Sequence, residues 1–193
     1  MFTDHTAMEG ALLAVGELLA VDRRPIALVV VGGACLNMLG VLSRTTADID
    51  VIAQLNMRDE GERKFEAPMP FPPELVRAIA TVARDFGLAP DWMNNAVGNQ
   101  WRTGLPPSLF NELTWRQFEA LRVALPGRSA LLALKLFAAV DRGPRSVHMQ
   151  DLLILQPASH ELDAAAAWVL TQDAASEFPR LVREAIGYVH AHK

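Results

Sequence analysis

Six consecutive aliphatic residues, Ile26-Ala27-Leu28-Val29-Val30-Val31, run directly into Gly32-Gly33. A strand with one face in water alternates apolar and polar residues, and an unbroken aliphatic run leaves no polar face. The run predicts a central strand buried on both faces. The glycine pair ends it, and Ala34 to Leu39 reads as a short helix stopped by Gly40. A second strand is predicted over Asp48 to Ala53, where Asp48-Ile49-Asp50-Val51 alternates.

The remaining elements follow from periodicity and punctuation. Leu12, Leu13, Val15, Leu18 and Leu19 recur at helical spacing, predicting a first helix from Thr6 to Ala20. Charges and then Pro68, Pro70, Pro72 and Pro73 mark a loop between Asn56 and Pro73. Pro73 starts a helix to Phe86, closed by Gly87. Asp91 to Pro107 carries no clear period. Phe118 to Leu125 reads as a strand ended by Pro126-Gly127, and Ser129 as the N-cap of a helix to Arg142. Helices over Val147–Leu155, Ser159–Leu170 and Ala174–His190 complete the chain. The expected class is α+β with an α/β-like core: residues 1–127 form the core with the N-terminal helix, and 128–193 form a helical C-terminal region packed on it.

At 193 residues, 51% apolar and 21% charged, the chain has the composition of a globular protein. Its net charge of -4 excludes a strongly basic nucleic-acid footprint overall, while a local basic patch stays open. One cysteine, Cys35, excludes an internal disulfide and a cysteine-rich zinc site, and fits a reducing cytosol. The longest apolar stretches, Ile26–Cys35 and Ala130–Val140, are shorter than the ~18 residues a membrane span needs. The start of the chain lacks a basic segment before an apolar run, so no secretory signal is expected and the expected location is cytoplasmic.

Asp48 and Asp50 carry the strongest chemical signal. On a strand they share one face, roughly 6.5 to 7 Å apart. Two carboxylates that close repel unless a cation sits between them or one takes a proton. Magnesium favours one or two carboxylates together with substrate phosphates. The alternative is a pair of solvated charges at a strand end. Gly32 and Gly33 let a backbone approach a phosphate closely, or make an ordinary tight turn. Lys135 is the only charge in Ala130–Val140: its ammonium either reaches the surface along an apolar stem or meets an anion. Asp151 is a partner for Lys135 or Arg145, or a charge near a helix start. Arg44 binds a phosphate or pairs with a surface acid. Glu119, the only carboxylate of the late strand, is a candidate third metal ligand. Trp92, Trp101 and Trp115 read as packing residues. The histidines show no metal spacing: His190 and His192 do not share a helix face.

Val30-Val31-Gly32-Gly33-Ala34 followed by Arg44-Thr45-Thr46-Ala47-Asp48-Ile49-Asp50-Val51 resembles the nucleotidyltransferase superfamily that includes DNA polymerase β, and within it the AbiEii-like toxin group. Lys135, Arg142 or Arg145, and Asp151 follow in the order of that group's later pattern, so the likeness spans about residues 26 to 155. The resemblance implies a small mixed sheet flanked by helices. It implies Mg2+ on Asp48 and Asp50 with a nucleoside triphosphate, Gly32 and Gly33 lining the triphosphate, and Lys135 on phosphate. It gives Asp151 the task of orienting Lys135 or assisting the acceptor hydroxyl. It implies an RNA (tRNA) or protein acceptor and a cognate antitoxin partner. Gly33 stands where many members have serine. Arg23, Arg24, Arg44, Arg142 and Arg145 are the residues available for an acceptor patch. The other function class is a catalytically inactive protein of the same fold that serves as a protein-binding module.

Overall fold

A computed structural model describes residues 5–56 and 64–192. The chain divides into two compact units: residues 1–102 with 113–126, and residues 103–112 with 127–193. The first unit holds a six-stranded mixed sheet with helices, and the second is helical.

The aliphatic run is β1 (Ile26–Val31), and Leu28, Val29 and Val30 are wholly buried. Each such side chain contributes about 1.5–3 kcal/mol on burial. On one side β1 pairs antiparallel with β2 (Ile49–Asn56), and on the other it runs parallel to β6 (Leu121–Pro126). The outer edge of β2 is covered twice. β3 (Lys64–Glu66) pairs with its end, and β4 (Met93–Asn94) runs parallel to its start. β5 (Leu113–Phe118) closes the other side against β6. The helix α1 (His5–Val21) packs on α3 (Pro73–Phe86), β5 and β6, while α2 (Gly32–Met38) packs on β1, β2 and β6.

Several boundaries match the sequence pattern closely, and the departures have physical reasons. α3 starts at Pro73, whose missing N–H costs nothing there, and ends at Gly87 in the left-handed region at φ 63°. The expected strand Phe118–Leu125 is instead a hairpin of β5 and β6, turning at Glu119 with φ 50°. The expected proline loop contains β3, and residues 57–63 of it lie outside the described residues. The stretch without a clear period forms β4 and a 3-10 helix, Ala96–Arg102.

In the second unit, α4 (Arg128–Arg142) packs on α5 (Val147–Leu155), α6 (Ser159–Val169) and α7 (Phe178–Ala191). Phe137 meets the edges of Trp168 and Phe178, with ring centroids 5.8 and 6.5 Å away. The N-cap of α4 is Gly127, not Ser129. A β-carbon at Gly127 would stand 2.9 Å from the Glu112 β-carbon, so the helix begins where only glycine fits. Ser146 caps α5, accepting the Met149 N–H at 3.3 Å. α7 starts four residues later than expected, at Phe178 and Pro179.

One ion pair in this unit sets a pH response. Arg128 Nε donates to Glu161 Oε1 at 2.7 Å, and Glu161 Oε2 accepts the Ala158 N–H at 2.8 Å at the start of α6. The Arg128 hydrogen bond holds the Glu161 carboxyl at about 2, below its ordinary 4.5. A carboxyl lowered on folding stabilises the fold above its unfolded value and loses that contribution as pH falls through the folded one. Arg128 is 45% exposed, so screening limits the gain to about 1 kcal/mol. Glu161→Gln is therefore expected to lower stability at pH 7 by about that amount and to flatten the loss between pH 4.5 and 2, read by urea unfolding at stepped pH.

Candidate functional site

The structure brings four segments of the first unit to the C-terminal end of β1. Val31 is the register partner of Asp50. Gly32 follows with φ 76°, a conformation that L side chains rarely adopt. A β-carbon at Gly32 would collide with Asp50 Oδ2, so the absence of a side chain is what admits the carboxylate. At Gly33 a β-carbon would stand 3.1 Å from Arg44 Nη2 and 3.2 Å from Thr46 Oγ1. An acid and a guanidinium thus lie over adjacent glycines.

The segment from Arg44 to Asp48 is tied down locally. Asn37 of α2 donates from Nδ2 to the Arg44 carbonyl at 2.8 Å. Thr46 is buried and donates from Oγ1 to the Asp48 carbonyl at 3.3 Å. β2 begins at Ile49, so Asp48 stands just before the strand and not on it, a correction to the expected boundary. Ile49 and Val51 are wholly buried, whereas Asp48 and Asp50 are each partly exposed. The alternation at this end of β2 therefore aims the Asp50 carboxylate away from the core contacts of Ile49, and Asp48, partly exposed, stands just ahead of the strand.

A bulge limits that alternation. Val30 pairs with Val51 but Val29 pairs with Ala53, leaving Ile52 without a partner on β1. The extra residue bends β2 and increases its twist, as bulges beside functional sites do. Beyond it, Ile52 and Ala53 are both wholly buried. The exposed carboxylates are thus confined to the end of β2 that faces Gly32.

The donor set suits magnesium. Asp48 and Asp50 would supply hard carboxylate oxygens, and the absence of a side chain at Gly32 admits Asp50 Oδ2 against the turn. Among the described residues, no three His, Cys, Asp or Glu side chains gather into a metal-binding group. Two carboxylates would fit magnesium only with phosphate and water completing the shell. α2 has only seven residues, so the cation facing this glycine turn is chiefly Arg44 rather than a helix dipole.

Other expected residues lie elsewhere. Glu119 sits on the exposed hairpin turn, and the Ala120 carbonyl accepts the N–H of Ile26 at the N-terminal end of β1. β1 has six residues, so Glu119 and Gly32 are separated by roughly 20 Å of strand. It is not a third ligand to a metal at Asp48 and Asp50. Arg23 and Arg24 precede β1 and lie at that same far end, so they do not converge with Arg44. Arg142 pairs with Asp141 at 3.1 Å, and Arg145 is exposed. Lys135 does not reach the surface. It is 4% exposed, and its Nζ donates to Asp151 Oδ2 at 2.5 Å.

Each of the three tryptophans read as packing residues contacts a protein group. Trp92 is wholly buried and donates to the Ile79 carbonyl at 3.1 Å, Trp101 donates to the Ile52 carbonyl, and Arg122 stacks over Trp115 at 4.5 Å. Sequence reasoning left Asn94 unassigned. Its Nδ2 lies 3.5 Å from Asp50 Oδ1. No local signal marks it, because its place beside Asp50 depends on strand pairing. Among the described residues, no helix is long and apolar enough to cross a membrane. No family model, curated protein or solved structure matches the chain.

Proposed function

We propose that this protein is a magnesium-dependent nucleotidyltransferase, which moves a nucleotide from a nucleoside triphosphate to an RNA or protein acceptor and serves as the toxin of a toxin–antitoxin pair. One observation carries the reading: Asp50 lies over Gly32 while Arg44 and Thr46 lie over Gly33. A carboxylate and a guanidinium thus lie over adjacent glycines of a turn that has no side chains of its own. Magnesium, when bound, would neutralise charge on the transferring phosphoryl group and fix an in-line geometry.

The chain's own residues supply the rest. Asp48 and Asp50 would hold the metal. Gly32 and Gly33 would admit the triphosphate, and Arg44 would offer a planar fork of donors to its oxygens. The acceptor hydroxyl would attack the α-phosphorus and pass its proton to water, while the bond from the α-phosphorus to the bridging oxygen breaks and pyrophosphate leaves. The resemblance also gives Lys135 a phosphate contact, with Asp151 orienting it. In the second unit the two form the 2.5 Å pair.

A protein-binding module without transfer activity is the second reading. The position of Glu119, far along β1 from Gly32, favours it by removing a candidate third carboxylate. Calorimetric titration with MgATP, MgCTP, MgGTP and MgUTP tests the enzyme reading. At least one is expected to bind, and a folded sample that binds none overturns it. Incubation with each radiolabelled nucleotide and total RNA or protein then names donor and acceptor. Asp48→Asn is expected to lower label transfer at least ~100-fold. A module would show no transfer at all, and Asp48→Asn would leave its partner binding intact.

A further inference from the structure

Asn94 has no role in the reading above, yet it is the side chain the sheet places beside Asp50. The two residues are register partners on the parallel strands β2 and β4. β4 has only two residues, but its surroundings fix it. The Ile49 N–H donates to the Trp92 carbonyl at 2.6 Å. Trp92 is itself locked in the core by its bond to the Ile79 carbonyl. Asn95, the next residue along, donates from Nδ2 to the Pro68 carbonyl at 2.8 Å.

The chemical sense of the Asn94 amide follows from its partners. The Ala96 backbone N–H lies 3.1 Å from Asn94 Oδ1, and a backbone N–H can only donate. The oxygen of the amide must therefore face Ala96, and the NH2 must face the other way. That NH2 reaches Asp50 Oδ1 at 3.5 Å. Asn94 thus offers Asp50 a donor and adds no charge. Asp50 Oδ1 is engaged on the β4 side, and Oδ2 lies on the Gly32 side.

We infer that Asn94 is a positioning residue for Asp50 and that, by supplying an amide where an aspartate would supply a third carboxylate, it confines the site to one divalent cation per bound nucleotide. The inference rests on the nucleotidyltransferase reading. Two carboxylates and a nucleotide's phosphates satisfy one cation. A third carboxylate at position 94 would repel Asp50 until a further cation relieved it. It would also supply the oxygens that a two-metal arrangement requires. Asn94→Asp keeps the bond from the Ala96 N–H, because an aspartate oxygen accepts equally well, so the turn after β4 is retained.

Manganese titrated against the full chain, with each of the four ribonucleoside triphosphates in turn and free Mn2+ read by electron paramagnetic resonance, tests this. The wild type is expected to take up one Mn2+ per chain with its nucleotide, and Asn94→Asp two. Asn94→Ala should keep one ion but bind it roughly 10-fold more weakly, the usual cost of losing a partner that orients a ligand. Thermal melts with and without Mn2+ add a second readout: the ion should raise the melting temperature of Asn94→Asp more than that of the wild type. Two ions in the wild type, one in Asn94→Asp, or unchanged affinity in Asn94→Ala each overturn the role of Asn94 and leave the nucleotidyltransferase reading standing. No uptake by the folded wild type with any nucleotide overturns both.

Discussion

Replacing Gly32 by alanine is expected to weaken magnesium-nucleotide binding at least ~100-fold while leaving the protein folded. Two costs combine at this position. The backbone sits at φ 76°, where an L side chain costs about 1–2 kcal/mol. The new methyl group would also occupy the space of Asp50 Oδ2. Asp50 cannot withdraw freely along the sheet, because it is paired with Val31 on one side and Asn94 on the other. Its carboxylate must therefore swing off the turn and leave the place where it would meet a cation. Overpacking of this kind costs about 1–3 kcal/mol. For a chain of 193 residues that is a fall in melting temperature of several degrees, roughly 2–4 °C per kcal/mol. Gly33→Ala is the informative control. Its β-carbon would meet Arg44 Nη2, the far end of a flexible side chain, and Thr46 Oγ1. A loss of ~10-fold or less is expected there, because Arg44 can shift by the few tenths of an ångström required. Calorimetry with the nucleotide that the wild type binds reads both variants. Unchanged affinity in Gly32→Ala would refute the placement of the site at Asp50.

How much of this was legible beforehand depends on whether a feature is local. β1 could be read residue by residue because six aliphatic side chains in a row leave no other arrangement that keeps them from water. α3 was equally plain, since proline and glycine act on the backbone at its two ends. The convergence of Gly32, Gly33, Arg44 and Asp50 was indicated by their order but not by their contacts. The loop from Arg44 to Asp48 folds back onto α2 through Asn37, which no spacing rule encodes. The bulge at Ile52 was invisible because a register shift is a property of two strands together. Glu119 misled for a related reason. It turns a hairpin without the Asn-Gly or Asp-Gly signal that marks such turns, so β5 and β6 merged into one expected strand. Asn94 lies in a two-residue strand held by Trp92, and its place beside Asp50 arises only once β4 pairs with β2.

Breaking the Lys135–Asp151 pair is expected to cost more stability than any other single replacement considered. The two side chains are 5% and 0% exposed and 2.5 Å apart, on α4 and α5. A buried pair adds little to stability over apolar residues of the same size, since desolvation offsets the attraction. Removing one member is different, because the other charge stays buried without its oppositely charged partner, at about 3–5 kcal/mol. Lys135→Ala and Asp151→Ala should each lower the melting temperature by roughly 10 °C or more. The double variant Lys135→Met with Asp151→Leu should melt close to the wild type, because neither charge remains. The same double variant separates packing from phosphate binding. If Lys135 only joins α4 to α5, it will bind magnesium nucleotide as the wild type does. If Lys135 contacts phosphate as the resemblance implies, affinity will fall by at least ~10-fold while the melting temperature holds, since a charged hydrogen bond is worth about 1.5–3 kcal/mol. A double variant as unstable as the single ones would show that α4 and α5 need the charges themselves, and would refute the desolvation argument.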